Sequence, residues 1–489
     1  MSPFEVLPLP YDSHSYGPLP PLSPEYGVSS NGFLPEKTPL ETLPDPYYAP
    51  WESLVQHLAQ FLQEQTLRER VDKLPVLCLS RLTTEREWRR AYLILTLLAH
   101  GYIWGGDMPT EVLPPPITVP LLKVSELLGL PPVATYASLN LWNYHSAKSD
   151  PTDLDSLHAL HTFTGTEDES WFYMVSVAME AQGAHIIPLM VHALEIIQHL
   201  GPDGTRSNYM FVVNALHAIT RCIANIGALL NRMDEKCDPG VFYHSIRPFL
   251  AGSKNMAAAG LPRGVFYDQG HGKGQWRQLR GGSNGQSSLI QFLDVVLGVE
   301  HTSQGSSDPE RPVTVTTTAT ATKHGHHTSE STNMSFHEEV RGCMPRQHRR
   351  FLEHVAGIGG GGGIRRAIAR LMMAACKGEE TTAEPEVVEL QTAFQAATRA
   401  LTEFRNRHLQ IVTRYIIIPS RLQSQATPLK GGPVNLATAS ARGRPTEMTA
   451  GGSDGGAETA ELTGTGGTAL LPFLKQTRDE TYKAGIIVK

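Results

Sequence analysis

The chain has 489 residues, 40% hydrophobic and 18% charged, enough to bury a large core and a bulky ligand, while 44 glycines and 35 prolines assign a sizeable part to loop. A formal net charge of −6 with no Lys/Arg stripe gives no field for a phosphate backbone and sets nucleic acid aside as a partner. Cys78, Cys222, Cys237, Cys343 and Cys376 show neither CxxC zinc spacing nor a CxxCH motif, which points to a reducing compartment.

Residues 1–50, opening MSPFEVLPLPYDSHSYGPLPPLSPEYG, read as an extended Pro-rich arm; with neither a basic start nor an apolar stretch they are no secretory signal. The longest apolar runs, such as AYLILTLLA at 91–99, fall short of the roughly 18 residues a membrane span needs, so a cytoplasmic protein is expected. A small helical domain is expected over 51–160. In it Trp88, Tyr92, Leu95, Ala99 and Tyr102 recur at alternating spacings of four and three and define one helix face. The prolines of LPPPITVP and LPPV are expected to interrupt any long element between 107 and 134, and HSAKSDPTDLDS at 145–156 reads as a linker.

A larger helical domain is expected over 161–489, with helices near 170–200, 208–233 and 286–299. The second carries Val212, Leu216, Ile219, Ile223, Ile226, Leu230 and Met233 on one face. No regular series of strand-like segments supports a β-sandwich or a βαβ sheet, so the fold class is all-α. Two stretches, 302–335 and 422–463, are too poor in large apolar groups to join a core and are expected to be disordered loops.

The last long helix, near 386–418, carries Leu390, Phe394, Ala397, Leu401, Phe404, His408, Ile411 and Tyr415 on one stripe, which His408 alone interrupts. Such a histidine is either a satisfied core residue or a ligand, and neutral imidazole is a standard axial ligand of haem iron. Arg405 lies one turn before it, and Asp294, the odd charge in SSLIQFLDVVLG, is a candidate partner or a plain surface acid. Arg247, set among the apolar groups of VFYHSIRPFLAG, needs an anion: a substrate carboxylate or a structural carboxylate would serve, with Phe242 offering an aromatic face nearby. GGSNGQSS at 281–288 contains a literal GxSxG centred on Ser283, but the polar, basic QWRQLR before it is not the buried strand a nucleophile elbow needs. A Gly/Ser loop opening a helix instead offers backbone N–H groups to an anion. His324, His326 and His327, and the glycines at 359–363, read as loop.

Together these segments resemble the indoleamine 2,3-dioxygenase family. The most specific match is RNRHLQIVTRYIIIPS at 405–420, which looks like that family's proximal-histidine signature. LPPVATYASLNLWN at 130–143, WFYMVSVAME at 171–180, FYHSIRPFLAG at 242–252, GGSNGQSSLIQFLDVVLG at 281–298, MPRQHRRFL at 344–352 and GTGGTALLPFLKQTR at 464–478 also match, in order. The resemblance implies a small helical domain over a larger one that holds one haem b, with His408 on the iron. It implies that Phe242 and Tyr243 line the distal pocket, that Arg247 binds the substrate carboxylate and that Ser176 lies above the haem. Tyr136 would close the pocket, Gly282 and Ser283 would approach the haem edge, Arg405 and Asp294 would pair on the proximal side, and Thr465 would belong to a covering loop. Of these, Arg247, Phe242 and Ser176 would act on the reacting substrate.

Two departures from the family pattern are Tyr243, where Phe is common, and Asn284, where Ala is familiar. The implied reaction is insertion of O2 across the indole C2–C3 bond of L-tryptophan or a related indoleamine, giving N-formylkynurenine. An external reductant would keep the iron ferrous, and a monomer is expected. Two readings compete: a haem-binding sensor or carrier of the same fold without turnover, and a cofactor-free helical interaction protein.

Overall fold

Thr84 caps the first long helix, α1 (Glu85–Trp104), by a reciprocal exchange in which its hydroxyl accepts from Glu87 N and Glu87 Oε2 accepts from Thr84 N at 2.9 Å. The structure, a computed structural model, describes residues 19–148, 150–201, 205–302, 336–375, 385–424 and 470–487. Of the expected loops at 302–335 and 422–463, residues 303–335 and 425–463 lie outside the described residues, as do Cys376 and Thr465, whereas 422–424 are not loop but the end of a helix, Ile418–Ser424. His324, His326 and His327 fall in the first of these stretches.

Helix α2 (Pro115–Leu128) corrects the reading of 107–134 as too broken for a long element. Pro115 and Pro116 occupy the first turn, where no intrahelical donor is required, and only Pro120 forfeits a backbone bond. The helix stops at Gly129, whose φ of 68° is left-handed. The single segment expected near 170–200 is two helices, α3 (Glu167–Gln182) and α4 (Ile186–His199), bent by 41°. Gly183 stands at the bend because a Cβ there would run into the Leu289 side chain. Then follow α5 (Arg206–Asn231), α6 (Ser288–Leu297), α7 (Arg346–Gly357), α8 (Gly363–Ala375), α9 (Pro385–Val412) and α10 (Leu470–Ala484).

The chain is predominantly helical, as expected. Among the described residues five short strands escaped the sequence: β1 (Val112–Leu113), β2 (Tyr144–Ser146), β3 (Leu157–Ala159), β4 (Val265–Gly270) and β5 (Lys273–Arg277). β1 runs parallel to β4, which pairs antiparallel with β5. The supposed linker at 145–156 is instead flanked by the antiparallel pair β2–β3, with Tyr144 opposite Ala159. QWR, the polar, basic stretch before the Gly/Ser loop, belongs to β5, whose exposed and half-exposed side chains still exclude a buried elbow strand.

The core falls into two clusters. One gathers α1, α2, α3 and the chain around 229–267. The other gathers α4 to α9, with α5 lying along α9 in the most extensive helix pairing among the described residues. Met179 and Ile411 pack against both clusters and mark the seam between them. Apolar surface from each side meets there without filling the space.

Candidate functional site

Three π-helical turns converge on that seam: Ala137–Leu141, Phe242–Ile246 and Thr413–Ile417. Such turns re-aim side chains that a regular helix would direct elsewhere, and they are frequent at functional sites. They bring Leu139, Phe242 and Tyr415 to a cavity of about 190 Å³ that Phe172, Arg247, Gly282, Ser283 and His408 also line. A second cavity, of about 100 Å³, is lined by Tyr136, Ser176, Glu180, Ser287, Asp294, Arg405 and again His408. The two share Leu230, Asn284, Gly285, His408, Phe473 and Leu474.

His408 therefore stands where both voids meet. Among the described residues nothing hydrogen-bonds its ring, and burial with the nearby Arg405 guanidinium pulls its pKa down to about 4. The imidazole is neutral at pH 7 and keeps a lone pair for a metal. This donor, between largely apolar walls, is of the kind that would hold a haem iron. Among the described residues no three His, Cys, Asp or Glu side chains cluster as a metal site.

Arg247 is 4% exposed and lies 5.5 Å from the centre of the Tyr243 ring. Tyr243, expected on the pocket wall, is not among the residues lining either cavity; it backs Arg247 instead. Phe242 does face the cavity, packed against Phe172 at 4.8 Å and Tyr415 at 5.7 Å between ring centres. The segment that carries Arg247 is anchored from α1. Trp104 Nε1 donates to Ala251 O at 2.9 Å. His100 Nε2 accepts from Ala134 N at 3.0 Å, so its Nδ1–H donates to Phe249 O at 2.7 Å. Burial holds His100 neutral, with its pKa lowered to about 4, and one ring thus ties the Arg247 segment to the Tyr136 segment.

The Gly/Ser loop sits against the same wall. Gly252 and Gly281 approach so closely that a Cβ on either would strike the other's backbone, which is why both are glycine. The Ser283 hydroxyl accepts from Gly285 N at 3.2 Å, and Ser287 caps α6 by accepting from Ile290 N at 3.2 Å. Across the second cavity the Tyr136 hydroxyl donates to Glu180 Oε1 at 3.0 Å, with the Ser176 hydroxyl also bearing on the phenol.

Arg405 and Asp294 form the expected pair, with Arg405 donating to both carboxylate oxygens at 2.6 and 2.7 Å and both residues buried. The pair belongs to a larger cluster that sequence reading missed. His301 bridges Asp294 Oδ2 at 3.2 Å and Glu480 Oε2 at 2.7 Å, tying α6 and α9 to α10. Burial opposes a charge on His301, but Asp294 and Glu480 outweigh it and raise its pKa. Burial likewise opposes ionisation of Glu480, yet bonds from His301, Gln476 and Thr302 hold it down at about 2.

Removing one partner strands the other. Asp294→Ala is therefore expected to destabilise the fold by about 3–5 kcal/mol, because it leaves Arg405 without the carboxylate in a buried place. Denaturant unfolding checks this, and a midpoint within error of wild type would refute the pairing as a stabilising contact. A His301-dependent contribution carries a sign: with a raised folded-state pKa it is present at acid pH and fades as pH rises through that pKa.

Phe172, Glu180, Ser287 and Tyr415 are the site residues that sequence reasoning passed over. Phe172 and Glu180 lie one turn to either side of Ser176 on α3, so the helix period held a usable signal for both. Ser287 carried no such mark.

A helical chain that sets a neutral histidine and a buried arginine on the walls of a largely apolar cavity is of the class that can enclose a small ligand. Comparison with known proteins narrows the class. The family profile of indoleamine 2,3-dioxygenase matches residues 23–484. The indoleamine 2,3-dioxygenase of Saccharomyces cerevisiae is 37% identical over 95% of this chain and 93% of its own length. Indoleamine 2,3-dioxygenase nanC of Aspergillus nanangensis is 35% identical over 94% and 96%. The 6-hydroxytryptophan 2,3-dioxygenase fscD of Fusarium equiseti is 32% identical over 94% and 96%. The chain belongs to the indoleamine 2,3-dioxygenase family and is a dioxygenase.

Proposed function

We propose that the chain is a haem-dependent dioxygenase that opens the indole ring of L-tryptophan between C2 and C3, incorporating both atoms of O2 to give N-formylkynurenine. The observation that carries this reading is the neutral His408 imidazole at the meeting of two cavities, one of which Arg247 lines. Haem b, bound through His408 and kept ferrous by an external reductant, would supply the O2 chemistry. The chain's own residues supply the rest. Arg247 grips the substrate carboxylate, while Phe172, Phe242 and Leu230 offer apolar surface to the indole and keep bulk water out. Gly282 and Ser283 present the rim of the Gly/Ser loop to the cofactor edge, and Tyr136 and Ser176 close the adjoining void.

A ring-hydroxylated tryptophan is the second reading of the substrate. It is favoured by Asn284, a polar amide on both cavities, and by the Fusarium relative whose name specifies 6-hydroxytryptophan. The test is product formation by haem-reconstituted protein under air with a reductant, each substrate supplied in turn. Formylkynurenine absorbance from tryptophan supports the first reading. Turnover of the hydroxylated substrate alone selects the second, and haem binding without product from either marks a sensor or carrier.

A further inference from the structure

Glu180 is 1% exposed, yet among the described residues its hydrogen-bond partners are two hydroxyls and no cation. Oε1 accepts from Tyr136 at 3.0 Å and from Ser287 Oγ at 2.6 Å. Oε2 has no hydrogen-bond partner among the described residues, and the side chain lines the second cavity. Ser287 caps α6 at the end of the Gly/Ser loop. Tyr136 N donates to Gln286 Oε1 at 2.8 Å, and Gln286 Nε2 donates to Gly281 O at 2.8 Å. The Glu180 carboxyl thus ties α3 to Tyr136 and to Ser287, and Gln286 ties the Tyr136 turn to the start of the Gly/Ser loop.

The charged and titratable groups that line this cavity with Glu180 are Asp294, Arg405, His408 and Tyr136. Asp294 and Arg405 neutralise each other, His408 is held neutral, and burial together with Glu180 keeps the Tyr136 phenol protonated. A negative charge on Glu180 would stand uncompensated in an apolar void. We propose that Glu180 is a positioning residue that, as a neutral carboxylic acid, holds Tyr136 and the Gly/Ser loop for substrate binding, and that loss of its proton weakens the binding of a carboxylate-bearing substrate by setting a second negative charge in the adjoining void. The inference rests on the functional reading above. Burial, opposed by the two hydroxyl bonds, pushes the Glu180 pKa up to about 7, so the switch falls near neutral pH.

Two measurements separate this inference from the functional reading. In cofactor-free protein, infrared titration is expected to show a protonated-carboxyl band that disappears with a midpoint near 7 and is absent from Glu180→Gln. Ser287→Ala removes one bond that favours the ionised form, so it shifts the midpoint upward. In reconstituted enzyme, KM for tryptophan is expected to rise roughly tenfold between pH 6 and pH 8, whereas Glu180→Gln, which keeps an acceptor oxygen and cannot ionise, gives a flat profile. A wild type without the band, or an unchanged alkaline rise of KM in Glu180→Gln, overturns the proposal. If no variant makes product at any pH, the functional reading fails and the infrared titration alone decides the state of Glu180.

Discussion

Replacing His408 with alanine is expected to abolish haem uptake and product formation together. Loss of a group that only orients a metal ligand typically costs about 10–100-fold in metal affinity, so loss of the ligand itself is expected to exceed that range. Nothing in the cavity can replace it: among the described residues no other histidine lines either void, and Cys237, whose thiol burial pushes up to about 12, does not line them either. The measurement is absorbance titration of the cofactor-free variant with haem, with circular dichroism to confirm that the helices are intact. Free imidazole diffusing into the vacated space is expected to restore part of the histidine-type Soret band. An unchanged spectrum in His408→Ala would remove the residue from the iron and with it the central assignment.

Arg247→Ala is expected to separate substrate binding from cofactor binding. A charge-assisted hydrogen bond contributes about 1.5–3 kcal/mol, equivalent to a rise of roughly 10- to 150-fold in KM or in the dissociation constant of tryptophan. Haem affinity is expected to stay within a few-fold of wild type, since Arg247 and the Arg405–Asp294 pair lie on different cavities. A substrate analogue without the carboxylate supplies the complementary arm, because its binding should hardly distinguish variant from wild type. If Arg247→Ala instead loses haem and tryptophan in parallel, the arginine supports the architecture rather than the substrate. Burial makes that outcome a real alternative, and the carboxylate-free analogue tells the two apart.

Much of the helical frame was legible because amphipathic helices write their buried face into the sequence at a fixed period. The stripes on α1, α5 and α9 stand where the periodicity set them. His408 was legible for the same reason, as one polar group on an otherwise apolar stripe. Arg247 and Asp294 were legible as charges among apolar neighbours, which burial makes costly unless they are paired. The errors fall where local preference was overruled. Proline propensity argued against α2, but two of its prolines occupy a first turn that asks nothing of them. The β2–β3 pair was hidden because its short strands are held by register with each other and carry no long alternation of their own.

The sequence by itself determined the helical class and the family and singled out His408, because each is written in a local pattern or in a run of matching segments. Which groups share a cavity was decided only by the tertiary structure. Glu180 meets Ser287 across 107 positions, and His301 meets Glu480 across 179, so no window of sequence contains either pair. Phe242 and Tyr243 are neighbours in the chain, yet the first lies on the cavity wall and the second backs Arg247. Periodicity assigns a side chain to a face of its own helix; what that face meets depends on how the two cores close on each other along the Met179–Ile411 seam.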